Sequence, residues 1–197
     1  MARKILIGVA AVIVLLVLVI LTRPAAFHIE RSITVAAPPE NAFAQVNDLH
    51  AWQAWSPWEK LDPQMKKTFE GPPAGAGAKY AWTGNDKVGE GRMTIEKSEK
   101  PSTVGIKLEF LKPFESTSAT TFTFAPTPGG SKVTWAMDGE NNFMAKAASL
   151  FMDMDKMLGS DFEKGLADMK TAAESAPKTP PAAPAVAPTQ PPAPTAP

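Results

Sequence analysis

One amphipathic run, residues 146–174, limits what this chain can fold into more than any other stretch. Apolar or small residues recur at Ala147, Leu150, Phe151, Met154, Leu158, Phe162, Leu166, Met169 and Ala173. Steps of three and four lay one continuous stripe along a single long helix. Asp153, Lys156, Ser160, Glu163, Lys164, Lys170 and Glu174 fall mainly on the other side. Such a helix needs a surface to cover. The chain before it supplies one, because most of it alternates in the two-residue period of half-buried strands.

Alternation begins at Phe27, with Ile29, Arg31, Ile33 and Val35 on one face and His28, Glu30, Ser32 and Thr34 on the other. Ala37-Pro38-Pro39-Glu40 ends it. Pro39 suits the first turn of a short helix with Ala42, Phe43 and Val46 on its apolar face. Further strands are predicted over 65–70, 78–83, 88–96, 103–110, 115–125 and 132–138, with Pro128-Gly129-Gly130 as a hairpin turn. Strands joined by short turns pair antiparallel, each with one apolar face. The expected fold class is α+β: a curved seven-stranded antiparallel sheet wrapped around a long C-terminal helix.

The two ends of the chain differ from this middle. Residues 5–21, ILIGVAAVIVLLVLVIL, carry no charge. As a helix they span about 26 Å, the short end of what a bilayer core needs. A cleaved signal peptide has a shorter apolar core and a small-x-small exit, and Arg23-Pro24-Ala25-Ala26 makes a poor one. The reading is an uncleaved transmembrane anchor over 5–22. Arg3 and Lys4 place residues 1–4 in the cytoplasm and the rest in a bacterial periplasm, as a single-pass protein of the inner membrane. Residues 23–26 are then a linker to a domain over 27–174, held close to the membrane. Residues 175–197 are mostly Pro, Ala and Thr with no aromatic residue. They are expected to form an extended, disordered tail, either merely solvated or an arm for a protein partner.

Composition removes several functions. The 20 Lys and Arg balance the 20 Asp and Glu, so no bulk charge recruits nucleic acid. The absence of cysteine excludes disulfides and thiolate metal sites. With only His28 and His50, a multi-histidine metal centre is not expected. The glycines of 71–77 do not lead from a strand into a helix, so they make no phosphate loop. No catalytic residue, metal ligand or cofactor is assigned.

The aromatic set Trp52, Trp55, Trp58, Tyr80, Trp82 and Trp135 has two readings, core packing or the lining of a ligand cavity. Met144, Met152, Met154, Met157 and Met169 lie in or beside the long helix, and thioethers adapt to irregular guests. Met152 and Met157 project away from the stripe, toward a membrane or a partner. Asp155, Glu109 and His50 are the scattered polar candidates for a ligand anchor or base, although such residues are far more often solvated edges.

Taken in order, several of these features resemble the polyketide cyclase/dehydrase-type members of the START/Bet v 1-like (SRPBCC) superfamily. They are the first strand running into Ala37-Pro38-Pro39-Glu40-Asn41-Ala42-Phe43, then Trp55-Ser56-Pro57-Trp58, the glycines Gly71, Gly75 and Gly77, Trp135, and Gly165-Leu166 with Met169-Lys170. The resemblance implies a helix-grip fold, with the sheet clasping the helix over an apolar cavity. It implies no particular reaction, since the superfamily holds lipid carriers, hormone receptors and cyclases. On that fold the cavity lining is expected from Trp55, Tyr80, Trp82, Met93, Ile95, Ile106, Leu108, Phe122, Trp135, Met154, Leu158 and Phe162. The first functional expectation is non-catalytic binding of a hydrophobic or lipid-like small molecule at a bilayer. The alternatives are a polyketide cyclase-like enzyme acting on an apolar substrate and an assembly module that uses the proline-rich tail.

Overall fold

Seven alternating segments form one antiparallel sheet in the computed structural model, which describes residues 1–177. They are β1 (Ala26–Val35), β2 (Lys66–Glu70), β3 (Lys79–Thr83), β4 (Glu90–Glu99), β5 (Thr103–Lys112), β6 (Ser116–Thr127) and β7 (Gly130–Glu140). Their order across the sheet is β1-β7-β6-β5-β4-β3-β2. Consecutive strands from β2 to β7 are neighbours, and β1 closes against β7 with Ile29 opposite Met137 and Arg31 opposite Trp135. Register shifts at Glu90/Gly91 and Ile95/Lys97 bend β4, as bulges do. The chain between the two edge strands crosses the sheet as α2 (Pro39–Asn47), α3 (Trp52–Trp55) and a 3-10 turn (Pro57–Lys60).

The long helix is interrupted. Residues 143–148 form α4 (Phe143–Ala148) and the stripe resumes in α5 (Met154–Ser175). The continuous helix expected over 146–174 is thus corrected to two, for a local reason. Leu150 and Phe151 donate their backbone N–H groups three residues back, to Ala147 and Ala148, which tightens and ends α4. The Asp153 side chain then accepts from the backbone N–H of Lys156 and starts α5 as its N-cap. Phe151, assigned to the stripe, is 85 % exposed. From Phe162 onward the stripe holds: Phe162, Leu166, Met169 and Ala173 are buried. The helix-grip architecture is otherwise the one expected.

α5 carries glycine at two places where it meets the sheet closely. A Cβ on Gly165 would lie 2.9 Å from the Trp135 ring, and one on Gly159 would lie 2.1 Å from the Arg31 guanidinium. Arg31, the charge in the inward register of β1, bonds Asp155 at 3.0 Å and Glu163 at 3.0 Å, both on α5. Asp155 is therefore a clamp on the helix. At the other end of α5, Asn41 of α2 donates to the Ala173 carbonyl at 3.2 Å.

The apolar amino-terminal run forms α1 (Ala2–Leu21), with mean hydropathy 3.2 and every residue but Ile20 exposed. Its length and composition are those of a membrane span or a signal sequence. The tail expected over 175–197 lies outside the described residues beyond Pro177.

Candidate functional site

The inner face of the sheet divides into two parts. Beneath α5, Trp135 is surrounded by rings. Phe162 stacks on it at 4.1 Å and Phe122 at 4.8 Å, while Trp55 and Trp58 meet it edge-on at 5.9 Å and Trp52 at 6.3 Å. Trp55, Phe122, Trp135 and Phe162 are at most 1 % exposed. Offset and edge-to-face ring contacts of this kind pack densely and add to the burial term. Two of these indoles have found backbone partners: Trp52 donates to the Val46 carbonyl and Trp55 to the Gln45 carbonyl, each at 3.0 Å.

Away from α5 the interior changes character. The close backbone approaches of α5 are to β1, β7, α2, α3 and the 3-10 turn. On the remaining strands, α2 approaches β5, and Glu59 of the 3-10 turn reaches Tyr80 of β3. A second row of rings runs here: His50 stacks on Phe69, Phe69 on Tyr80, and Tyr80 on Trp82. Met93 and Leu108 continue the apolar wall. Tyr80 is 5 % exposed, and Trp82, Met93 and Leu108 are each 8 % exposed, so solvent reaches this part slightly.

This second part holds a charge that the sequence reading did not single out. Glu59, in the 3-10 turn, keeps only 9 % of its side chain exposed. Its carboxylate accepts from the Tyr80 hydroxyl at 2.9 Å and pairs with the Lys67 ammonium. Burial, and after it the hydrogen bond and charge of Glu59, push the Tyr80 hydroxyl far above its ordinary pKa. The phenol therefore stays protonated and acts as a donor. A signal for the trio was present in the sequence: Lys67 and Phe69 alternate along β2, opposite Trp82 and Tyr80. Nothing local marked Glu59 as their partner.

Three buried side-chain polar atoms lack a hydrogen-bond partner among the described residues; one, Thr127 Oγ1, lies at the end of β6, and two lie on the inner face. These two are the indole N–H of Trp135 and the hydroxyl of Thr120. Thr120 is 3 % exposed and lies opposite Ile106 and Met137 in the sheet. An unmet buried donor costs about 1–3 kcal/mol, so such atoms are uncommon in finished interiors.

Of the twelve residues expected to line a cavity, eleven belong to the apolar core between the sheet and the helices or pack against it, and Met154 does not. Ten are buried, and Met154 and Leu158 are half-buried at the start of α5. None of the twelve borders either of two open surface grooves. One, of about 620 Å³, lies at the far end of the sheet between Ala36–Glu40, Pro101 and Phe124; the other, of about 380 Å³, lies between Trp58 and Asp168. Of the scattered polar candidates, Asp155 and Glu109 do not join the interior, and His50 meets the second row of rings from its exposed edge. Glu109 bonds Arg92 at 2.8 Å and Lys107 at 3.1 Å, and these hydrogen bonds lower its pKa to about 2. His50 pairs with Asp48 at 3.0 Å beside the Phe69 ring. Met152 and Met157 are exposed. No group of three or more metal-ligating side chains occurs among the described residues.

Comparison with known proteins agrees with this fold. Residues 26–174 match the model of a family described as polyketide cyclase/dehydrase and lipid transport. No curated protein matches the sequence. Among solved structures, the di-domain ARO/CYC BexL from the BE-7585A biosynthetic pathway superposes with a TM-score of 0.59 at 15 % identity, over 82 % of this chain and 54 % of that one. A protein from Chromobacterium violaceum superposes with a TM-score of 0.54 at 15 % identity, over 78 % of this chain and 100 % of that one. The Aha1 protein of Colwellia psychrerythraea gives 0.54 at 14 % identity, over 76 % and 97 %. At these identities the likeness is one of fold.

Proposed function

The chain belongs to the polyketide cyclase/dehydrase and lipid transport family, and from that membership we propose that its interior binds a hydrophobic or lipid-like small molecule without transforming it. The guest lies against the inner face of β3 to β6, in the less completely sealed part, and reaches Thr120 and Trp135 where that part borders the rings under α5. The observation that carries this reading is the pair of unmet polar atoms, Trp135 Nε1 and Thr120 Oγ1, set in an apolar wall. An elongated apolar guest with one polar group would supply the missing partner while its body covers Met93, Ile106 and Leu108. Ligand sites commonly combine such a wall with a few polar groups.

In the same reading α1 is an uncleaved anchor over residues 5–22. Residues 1–4 are cytoplasmic, 23–26 are the linker, 27–174 are the binding domain, and 175–197 are a tail. Arg3 and Lys4 favour a periplasmic domain on a bacterial inner membrane.

The test is native mass spectrometry of the full chain released from membranes in mild detergent, with displacement of an apolar fluorescent probe. The expected result is a bound small molecule of lipid-like mass and probe binding that Leu108→Trp abolishes by filling the space. A bare protein whose weak probe signal ignores Leu108→Trp would count against the reading.

A second reading, a cyclase-like enzyme, is favoured by Glu59, a nearly buried carboxylate hydrogen-bonded to a tyrosine. That arrangement can hold or pass a proton beside an apolar substrate. Its pairing with Lys67 ties it down, so the binding reading comes first. A bound molecule recovered chemically altered by the native protein, and unaltered by Glu59→Gln, would reverse that order.

A further inference from the structure

Outside α1, most of the large apolar side chains that remain exposed among the described residues gather at one end of the sheet; Leu111 near the end of β5 belongs with them, and Leu61, beside the 3-10 turn and α5, stands apart. Phe114 lies in the β5–β6 turn, Phe143 and Met144 on α4, Phe151 and Met152 between α4 and α5, and Met157 in the first turn of α5. The strand register defines this end: Ala26 faces Glu140, Phe110 faces Ser116, and Glu90 faces Lys112. The opposite end, where Val35 faces Ser131 and Thr103 faces Thr123, carries no exposed large apolar side chain among the described residues. Single exposed apolar residues are ordinary on any surface. The clustering of all of them but Leu61 at one end is what asks for a cause.

α1 leaves the domain from this same end. Only residues 22–25 separate it from β1, a reach of at most about 14 Å when fully extended. The junction is tied down further. The Ala25 carbonyl accepts from the Asn141 N–H at 2.6 Å, and α4 packs against α1, whose Ile20 is buried. α4 is thereby held at the level where α1 would emerge from an apolar layer. Some charges nearby are paired, Lys112 with Glu90 at 2.7 Å and Lys156 with Asp153 at 3.2 Å, and the remaining Arg23 and Lys146 are matched in number by Glu115 and Glu140, so this end carries no strong net charge. Apolar contact, more than charge, would dominate any attachment.

We propose that this end of the domain is a docking face for the bilayer surface itself. Phe114, Phe143, Met144, Phe151 and Met152 enter the boundary between headgroups and acyl chains, as apolar side chains of interfacial segments do. The interior then opens toward lipid at the start of α5, and a guest passes between membrane and protein with little exposure to water. The proposal rests on the reading of α1 as a membrane anchor.

The chain has no cysteine, so single labels are unambiguous. Phe114→Cys, Met144→Cys and Phe151→Cys replace exposed side chains; Ser102→Cys, at the opposite end, is the control. Each full-length variant is labelled with an environment-sensitive fluorophore and placed in phosphatidylcholine nanodiscs that carry brominated acyl chains. The expected result is quenching at 114, 144 and 151 several-fold stronger than at 102, and unchanged by high salt. Carbonate extraction of the native membranes is run in parallel to report on α1 alone. Retention in the membrane with labels quenched no more than at 102 overturns the docking face and leaves the anchor standing. Release into the soluble fraction overturns the anchor, and the docking face with it.

Discussion

The two parts of the interior are built on different terms. Under α5, rings stack on rings and a glycine lets the helix press onto Trp135, with no exposure above 1 % in Trp55, Phe122, Trp135 and Phe162. Between β3 and β5 the wall is apolar but slightly wet, and it contains Glu59, Lys67 and the Tyr80 hydroxyl. Filled space positions the helix. The less completely sealed part is where a guest and its polar contacts have room to vary. Close-packed regions resist changes of volume, whereas regions with slack absorb them.

Substitutions can break or sharpen that contrast. Phe162→Ala removes the ring stacked on Trp135 and should cost about 3–5 kcal/mol in chemical denaturation of the full chain. Leu108→Ala, in the other part, should cost about 2 kcal/mol, the low end for Leu→Ala, while weakening uptake of an apolar probe. Equal losses from the two would erase the distinction. Glu59→Gln keeps an acceptor for Tyr80 and loses the charge pair with Lys67, a change of about 1 kcal/mol. Its sharper readout is spectroscopic, because Tyr80 is the single tyrosine. In the native protein the phenol should resist ionisation well above its ordinary value. In Glu59→Gln tyrosinate absorbance should appear at lower pH, still shifted upward by burial. A raised folded pKa adds stability that is fully present below the unfolded value of about 10 and is lost progressively as pH climbs from there to the folded value.

The smallest effect should come from the outer face. Glu109 has its pKa lowered to about 2 by Arg92 and Lys107. The sign is opposite to that of Tyr80: its contribution is present above the ordinary carboxylate range and fades as pH falls toward 2. Thermal melts from pH 5 down to 2 should therefore fall less steeply for Glu109→Gln than for the native chain. Solvent screening keeps the difference modest.

Strands were legible because paired strands with one buried face sample residues at a strict period of two. Ile29 and Val35, or Val104, Ile106 and Leu108, carry that period without reference to anything distant. The helix break was less legible. Periodicity runs through residues 149–153 unchanged, but the cap at Asp153 and the tight bonds from Leu150 and Phe151 win locally. Arg31 was a signal left unused, since a charge in an inward register demands a partner, which α5 provides 124 residues later as Asp155. Glu59 gave no such sign. A carboxylate in a turn beside Trp58 is normally solvated, and only Lys67 and Tyr80 make it otherwise.

By itself the sequence determined seven strands, an amphipathic C-terminal helix, an apolar amino-terminal run and the family they resemble, because each is written in local period or composition. Tertiary structure alone decided that β1 closes on β7, that Glu59 lies inside, that Trp135 and Thr120 keep unmet polar atoms, and that the exposed apolar residues share an end with α1. Those outcomes depend on distances between groups far apart in the chain, and distance across a fold is a property that no single stretch contains.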